Sequence, residues 1–147
     1  MNKKVAFLAV IPLAFALAAC SQSEANAPMS LAAKVASIDA GTSKPENSVE
    51  VARAREALGG AAKVCRENED HVGDMAAFTR NALKEKQTSV SLVEVLEMIP
   101  QAVGQAKIEN VGGCARLLSM YLTAREAGQN HMAATNGMRG VLKVVAQ

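Results

Sequence analysis

The chain has 147 residues, half of them hydrophobic but only 3% aromatic, with a formal net charge of +2. That length holds one small domain, and its charges are interspersed: Arg53, Arg55, Lys63 and Arg66 alternate with Glu50, Glu56, Glu67 and Glu69, as on a solvated helix face and not as in a nucleic-acid footprint. Both Gly-Gly pairs lack the Lys-Ser or Lys-Thr of a nucleotide site, and no Gly-x-Ser-x-Gly nucleophile motif occurs.

From the N-terminus, Lys3 and Lys4 precede an apolar run from Val5 to Ala19 that closes on Leu17-Ala18-Ala19-Cys20-Ser21. A positive start, a short apolar stretch and small residues before a cut site are the parts of an export signal. The competing interpretations are a membrane-spanning helix, which needs about 20 apolar residues where this run is shorter and contains Pro12, and a plain cleaved signal, which has no need for a cysteine directly after its small residues. Leu17-Ala18-Ala19-Cys20 resembles the lipobox of bacterial lipoproteins. The resemblance implies that residues 1–19 are a cleaved signal peptide and that Cys20 becomes the acylated N-terminus. Several acyl chains on one residue hold a membrane stably, where a single chain binds only marginally. Ser21 directly after the cysteine implies release to the outer membrane, in its inner leaflet, facing the periplasm. The resemblance covers the signal alone and carries nothing about the fold of the body. Loss of Lys3 and Lys4 leaves 14 of the 16 basic residues against 14 acidic ones, so the mature chain is neutral and nucleic acid is not an expected partner.

Residues 20–47 are expected to be the lipidated N-terminus and a flexible tether, because Ser21 to Pro28 is small, polar and aperiodic and Gly41 to Ser48 groups Thr42, Ser43, Lys44 and Pro45. Between them a Leu31, Val35, Ile38 stripe suits either a short amphipathic helix or a marginal, partly disordered one. Residues 48–147 are expected to form the helical periplasmic domain. Asn47 or Ser48 can cap a helix with Val51, Ala54, Leu58, Ala61 and Cys65 on one face. Gly59-Gly60 interrupts it, so that either the helix breaks or a neighbouring backbone comes close. Val72, Met75, Ala76, Thr79, Ala82 and Leu83 mark a second helix, with Phe78 on its flank. Ser91 and Glu94 form a capping-box pattern opening a third, with Leu92, Val95, Leu96 and Ile99 inside. Pro100 then ends it, kinks it or starts the next. Cys114, Leu117, Leu118, Tyr121, Leu122 and Arg125 make a fourth, stopped by Gly128. In the last segment Met132, Thr135, Met138, Leu142 and Val145 share a face; Val141 to Val145 could be a strand, but no partner strand exists and helix is preferred. The fold class is all-α: four to five short helices in a small bundle, stapled by one disulfide and preceded by the tether.

The staple follows from the lipid. With Cys20 acylated, Cys65 and Cys114 remain as an even pair in an oxidising compartment. Closing a loop of roughly 50 residues contributes about 4 kcal/mol in the chain-entropy model, which matters in an alanine-rich core without Trp. A redox or metal pair is the alternative, although neither cysteine lies in a Cys-x-x-Cys.

Two side-chain groups have the composition of metal sites. Glu67, His71 and Asp74 would share a helical face, and His131, Met132 and Met138 combine imidazole with the thioethers that select Cu(I). The alternatives are an exposed ion cluster and methionines filling gaps in the core; no metal or other cofactor is assigned, and the chain is not expected to be an enzyme. The expected work is protein binding by helix-in-groove recognition, as an envelope accessory, immunity, exclusion or assembly factor. Its partners would be the membrane, through Cys20, and an envelope protein; a small-molecule ligand is left open. A periplasmic stress chaperone is the second expectation, since small helical acid-stress chaperones resemble this chain in joining two distant cysteines across the domain. That expectation requires the fold to loosen in acid.

Overall fold

The computed structural model describes residues 28–145, which contain six α-helices and no strand. They are α1 (Leu31–Ala40), α2 (Val49–Cys65), α3 (Glu69–Glu85), α4 (Leu92–Val103), α5 (Cys114–Glu126) and α6 (His131–Val145), with a 3-10 turn at Ile108–Val111 before α5. The expected signal, Cys20 and the first part of the expected tether lie outside the described residues.

Helix starts follow local side-chain chemistry. Ser30, Ser48 and Asn68 accept from the backbone N–H groups of Ala33, Val51 and His71, satisfying donors that a helix leaves free at its N-terminus. Ser91 and Glu94 form the expected capping box, with Ser91 N donating to Glu94 Oε2 at 2.8 Å and Glu94 N to Ser91 Oγ at 3.0 Å. Gly128, just past α5, has φ +86°, a conformation that side chains with a Cβ rarely adopt.

The core is built around α2 and α4. Helix α4 buries Leu92, Val93, Val95, Leu96, Met98, Ile99, Ala102 and Val103; α2, packed against it, buries Val51, Ala54, Leu58 and Ala61. Small side chains set the approach of α1 and α2, where Ala32, Ala33 and Ala36 are buried on one helix and Ala54 and Ala57 on the other. Helix α2 runs through Gly59-Gly60 without a break. What comes close is side chain and not backbone: a Cβ on Gly60 would lie 4.0 Å from the Pro100 ring, and one on Gly59 3.6 Å from Glu69 Oε1. Pro100 does not end α4, which continues to Val103 with one fewer backbone donor.

Helix α1 belongs to the packed body, lying on α2 and α4. Its inner face is Ala32, Ala33, Val35 and Ala36, whereas Ile38 of the expected stripe is 48% exposed. The rotation has a polar cause: Asp39 accepts from Leu92 N at 2.6 Å and Val93 N at 2.9 Å, so α1 ends by capping α4 and turns Ile38 outward. At the other end, Ser30 N and Oγ each donate to Glu46 at 2.8 Å. Val141 to Val145 is helical. The buried face of α6 is Ala134, Thr135, Met138 and Leu142, with Met132 and Val145 exposed, because His131 is the residue held inward, by Tyr121. The turn at Ile108–Val111, which no periodicity marked, buries both of its named residues.

Candidate functional site

Cys65 and Cys114 are bonded, with Cα atoms 5.5 Å apart, joining the end of α2 to the first residue of α5. The same link also sets α3 against α5. Helix α3 begins four residues after Cys65, capped by Asn68, so one staple holds the first turns of α3 and α5 side by side. Between them runs an apolar groove of about 410 Å³.

Each wall is one helical stripe. Helix α3 contributes His71, Asp74, Met75 and Phe78, and α5 contributes Ala115, Leu118, Ser119 and Leu122, with Thr79 behind them. Both sets fall at i, i+3, i+4 and i+7, the spacing of a single helix face. Leu118 and Thr79 are buried and Met75 is partly so, but Phe78 is 72% exposed on the lip. The polar end of the groove is acidic: Asp74 forms no hydrogen bond or ion pair among the described residues, while His71 Nε2 lies 3.0 Å from Glu67 Oε2, outside hydrogen-bond alignment.

A second polar cluster lies inside the fold. Arg125, only 8% exposed, donates through Nη1 to Tyr121 Oη at 2.9 Å and through Nη2 to the Ser89 carbonyl at 3.1 Å. Tyr121 Oη is 2.8 Å from His131 Nδ1; since the phenol oxygen accepts from Arg125, its own hydrogen is the one available to that nitrogen. Burial pushes the Tyr121 phenol up, and the hydrogen bond from Ser91 N holds the Glu94 carboxyl below its ordinary value, aided by the charge of Arg125. Tyr121 is fully buried and Arg125 nearly so, so the centre of the cluster is closed to solvent, with His131 partly exposed at its edge. It ties α5, α6 and the α3–α4 loop together.

The metal candidates are not assembled into donor sets. His71 and Asp74 reach the groove and Glu67 sits beside His71, yet no group of three His, Cys, Asp or Glu able to hold a metal occurs among the described residues. His131 faces Tyr121, Met138 is buried and Met132 is 71% exposed, so these three do not converge. A shallow basic hollow of about 270 Å³ lies over Arg80, Lys84 and Gln87; Arg80 there is turned toward Asp39, with Nε 3.7 Å from its carboxylate. Among the described residues no helix is long and apolar enough to cross a membrane.

Sequence reasoning placed Phe78 on a flank and counted Leu118 and Leu122 with the inner face of α5, and so missed the groove. The available signal was the second stripe, Ala115, Leu118, Ser119 and Leu122, adjoining the first. The Arg125 cluster carried a weaker mark, the i, i+4 spacing of Tyr121 and Arg125. No protein-family model, curated protein or solved structure matches this chain.

Proposed function

We propose that the chain is a lipoprotein, held by acylated Cys20 in the inner leaflet of the outer membrane and facing the periplasm, that acts by binding an envelope protein in the groove between α3 and α5. The role would be that of an accessory, immunity, exclusion or assembly factor. The observation that carries the binding site is Phe78. It is the one phenylalanine outside the signal, and it stands mostly exposed beside a groove floored by Met75, Leu118 and Leu122. A large apolar side chain at the edge of an apolar concavity is the usual form of an anchor for a partner's helix. Crosslinked pull-down from envelopes tests the proposal: the wild-type chain recovers one envelope protein and Phe78→Asp does not. Recovery of the chain alone, or an unchanged result with Phe78→Asp, overturns it. Mass spectrometry of the mature N-terminus tests the anchor, and an unmodified Cys20 or a cut elsewhere removes it.

The stress-chaperone proposal has one structural support. Hydrogen bonds from Ser30, Lys44 and Ser91 hold Glu46, Glu50 and Glu94 below the ordinary carboxylate range. Groups depressed in this way stabilise the fold above that range and cease to do so as acid protonates them. A dye for exposed apolar surface that shows no change down to about pH 2, where carboxylates are protonated, eliminates the chaperone.

A further inference from the structure

We propose that the groove between α3 and α5 is built for a cationic amphipathic helix: about two turns of the partner, with three apolar anchors at i, i+4 and i+7 and a Lys or Arg reaching Asp74. The proposal rests on the protein-binding function above and specifies its partner.

Length sets the first part. From His71 to Phe78 on one wall, and from Ala115 to Leu122 on the other, the groove extends seven residues, about 10 Å of helix. A docked helix covers the same distance from i to i+7, so one stripe of three anchors fills it. The floor suits variable aliphatic anchors, because Met75 is unbranched and adapts its shape, and Phe78 can close over the occupant from the lip.

Charge sets the second part. Asp74 is the one acidic residue among the lining side chains, and it has no ion-pair partner among the described residues. Asp70 lies one turn before it, and Glu67 accompanies His71 at the same end. The α5 wall contributes no charged side chain; Arg116 of that helix lies back toward Gly112, its Cδ 3.3 Å from where a Cβ on that glycine would stand. The end of the groove therefore carries an uncompensated negative charge, which attracts a cation on a partner and repels the phosphate of an anionic lipid. That sign favours a basic peptide over a lipid. A second copy of the chain is the other occupant to test, since α6 exposes Val141 and Val144 with Lys143 between them.

The test uses the full mature chain and two synthetic helical peptides, identical in a Leu stripe at i, i+4 and i+7 but bearing either Lys or Glu at the position facing Asp74. In fluorescence anisotropy at low salt the Lys peptide should bind about tenfold more tightly than the Glu peptide. Asp74→Asn should erase the difference, and Phe78→Asp should bind neither peptide while keeping the wild-type melting temperature. Equal affinities, or a preference for Lys that survives Asp74→Asn, overturn the proposal. So does displacement of the Lys peptide by phosphatidylglycerol vesicles, which assigns the groove to lipid, or self-association by sedimentation that Phe78→Asp abolishes, which assigns it to a second copy. If the peptides fail to discriminate while Phe78→Asp still loses the envelope protein, the groove keeps its protein partner and only the cationic helix falls. If the pull-down is indifferent to Phe78, the binding function itself falls.

Discussion

Two helix seams in this molecule use the same ingredients and end differently. Between α2 and α4 the seam is closed: Val51, Ala54 and Leu58 of α2 and Val95, Leu96 and Ile99 of α4 are all fully buried, and Gly60 lies against Pro100. Between α3 and α5 only the inner halves meet: Thr79 and Leu118 are buried, while Met75 and Phe78 are left partly or mostly exposed beside an open groove. Helical periodicity alone does not decide whether a seam closes. Side-chain size on both walls and the way the helix ends are fixed decide it. Alanine and glycine on α2 let α4 approach, whereas α3 and α5 are held near their first turns by a disulfide-bonded corner and leave a groove of about 410 Å³ between them.

The largest effect separating the seams should come from the corner. Cys65→Ser with Cys114→Ser is expected to cost about 4 kcal/mol, seen as a lower melting temperature, with groove binding lost before helicity is. Closely behind, Leu96→Ala in the closed seam should cost about 3 kcal/mol through lost burial and a cavity; a similar cost for an exposed groove residue in chemical denaturation would show that the groove is not open in solution.

Ser91→Ala removes one partner of the capping box and should cost about 1 kcal/mol at neutral pH. Glu94→Gln adds a pH signature. Since the native hydrogen bond depresses the Glu94 carboxyl, its stabilisation is present above the ordinary carboxylate range and lost as pH falls through its folded-state value. The variant should therefore be less stable than wild type at neutral pH and converge on it in acid; a constant difference at every pH contradicts this. In the closed seam Gly60→Ala should stabilise α2 by up to about 1 kcal/mol, because the added methyl only reaches ordinary contact with Pro100 at 4.0 Å. The smallest effect belongs to the open seam: Phe78→Asp should change stability by no more than about 0.5 kcal/mol and yet abolish partner capture.

Much of the fold was legible because helices α2 to α6 carry local signs. Ser48, Ser91 and Gly128 mark ends, and Val51-Ala54-Leu58 and Leu92-Val95-Leu96-Ile99 mark inner faces that the structure keeps. Misplaced faces occurred where a polar contact from elsewhere rotated the helix. Asp39 reaching the N-terminus of α4 turned Ile38 outward, and Tyr121 holding His131 inward turned Met132 outward. Such pairings join residues of different helices, and the periodicity of a single helix contains only one member of each.

The sequence by itself determined the helical class and the helix starts at Ser48 and Ser91, which depend on residues a few positions apart, and it pointed to the pairing of Cys65 with Cys114 once Cys20 was set aside for lipid. Only the tertiary structure decided that α1 belongs to the body, that Gly59-Gly60 does not break its helix, and that the outer stripes of α3 and α5 face each other across a groove. Those outcomes depend on how closely helices approach and how they rotate, which is set by the sizes and hydrogen bonds of all the packed side chains together.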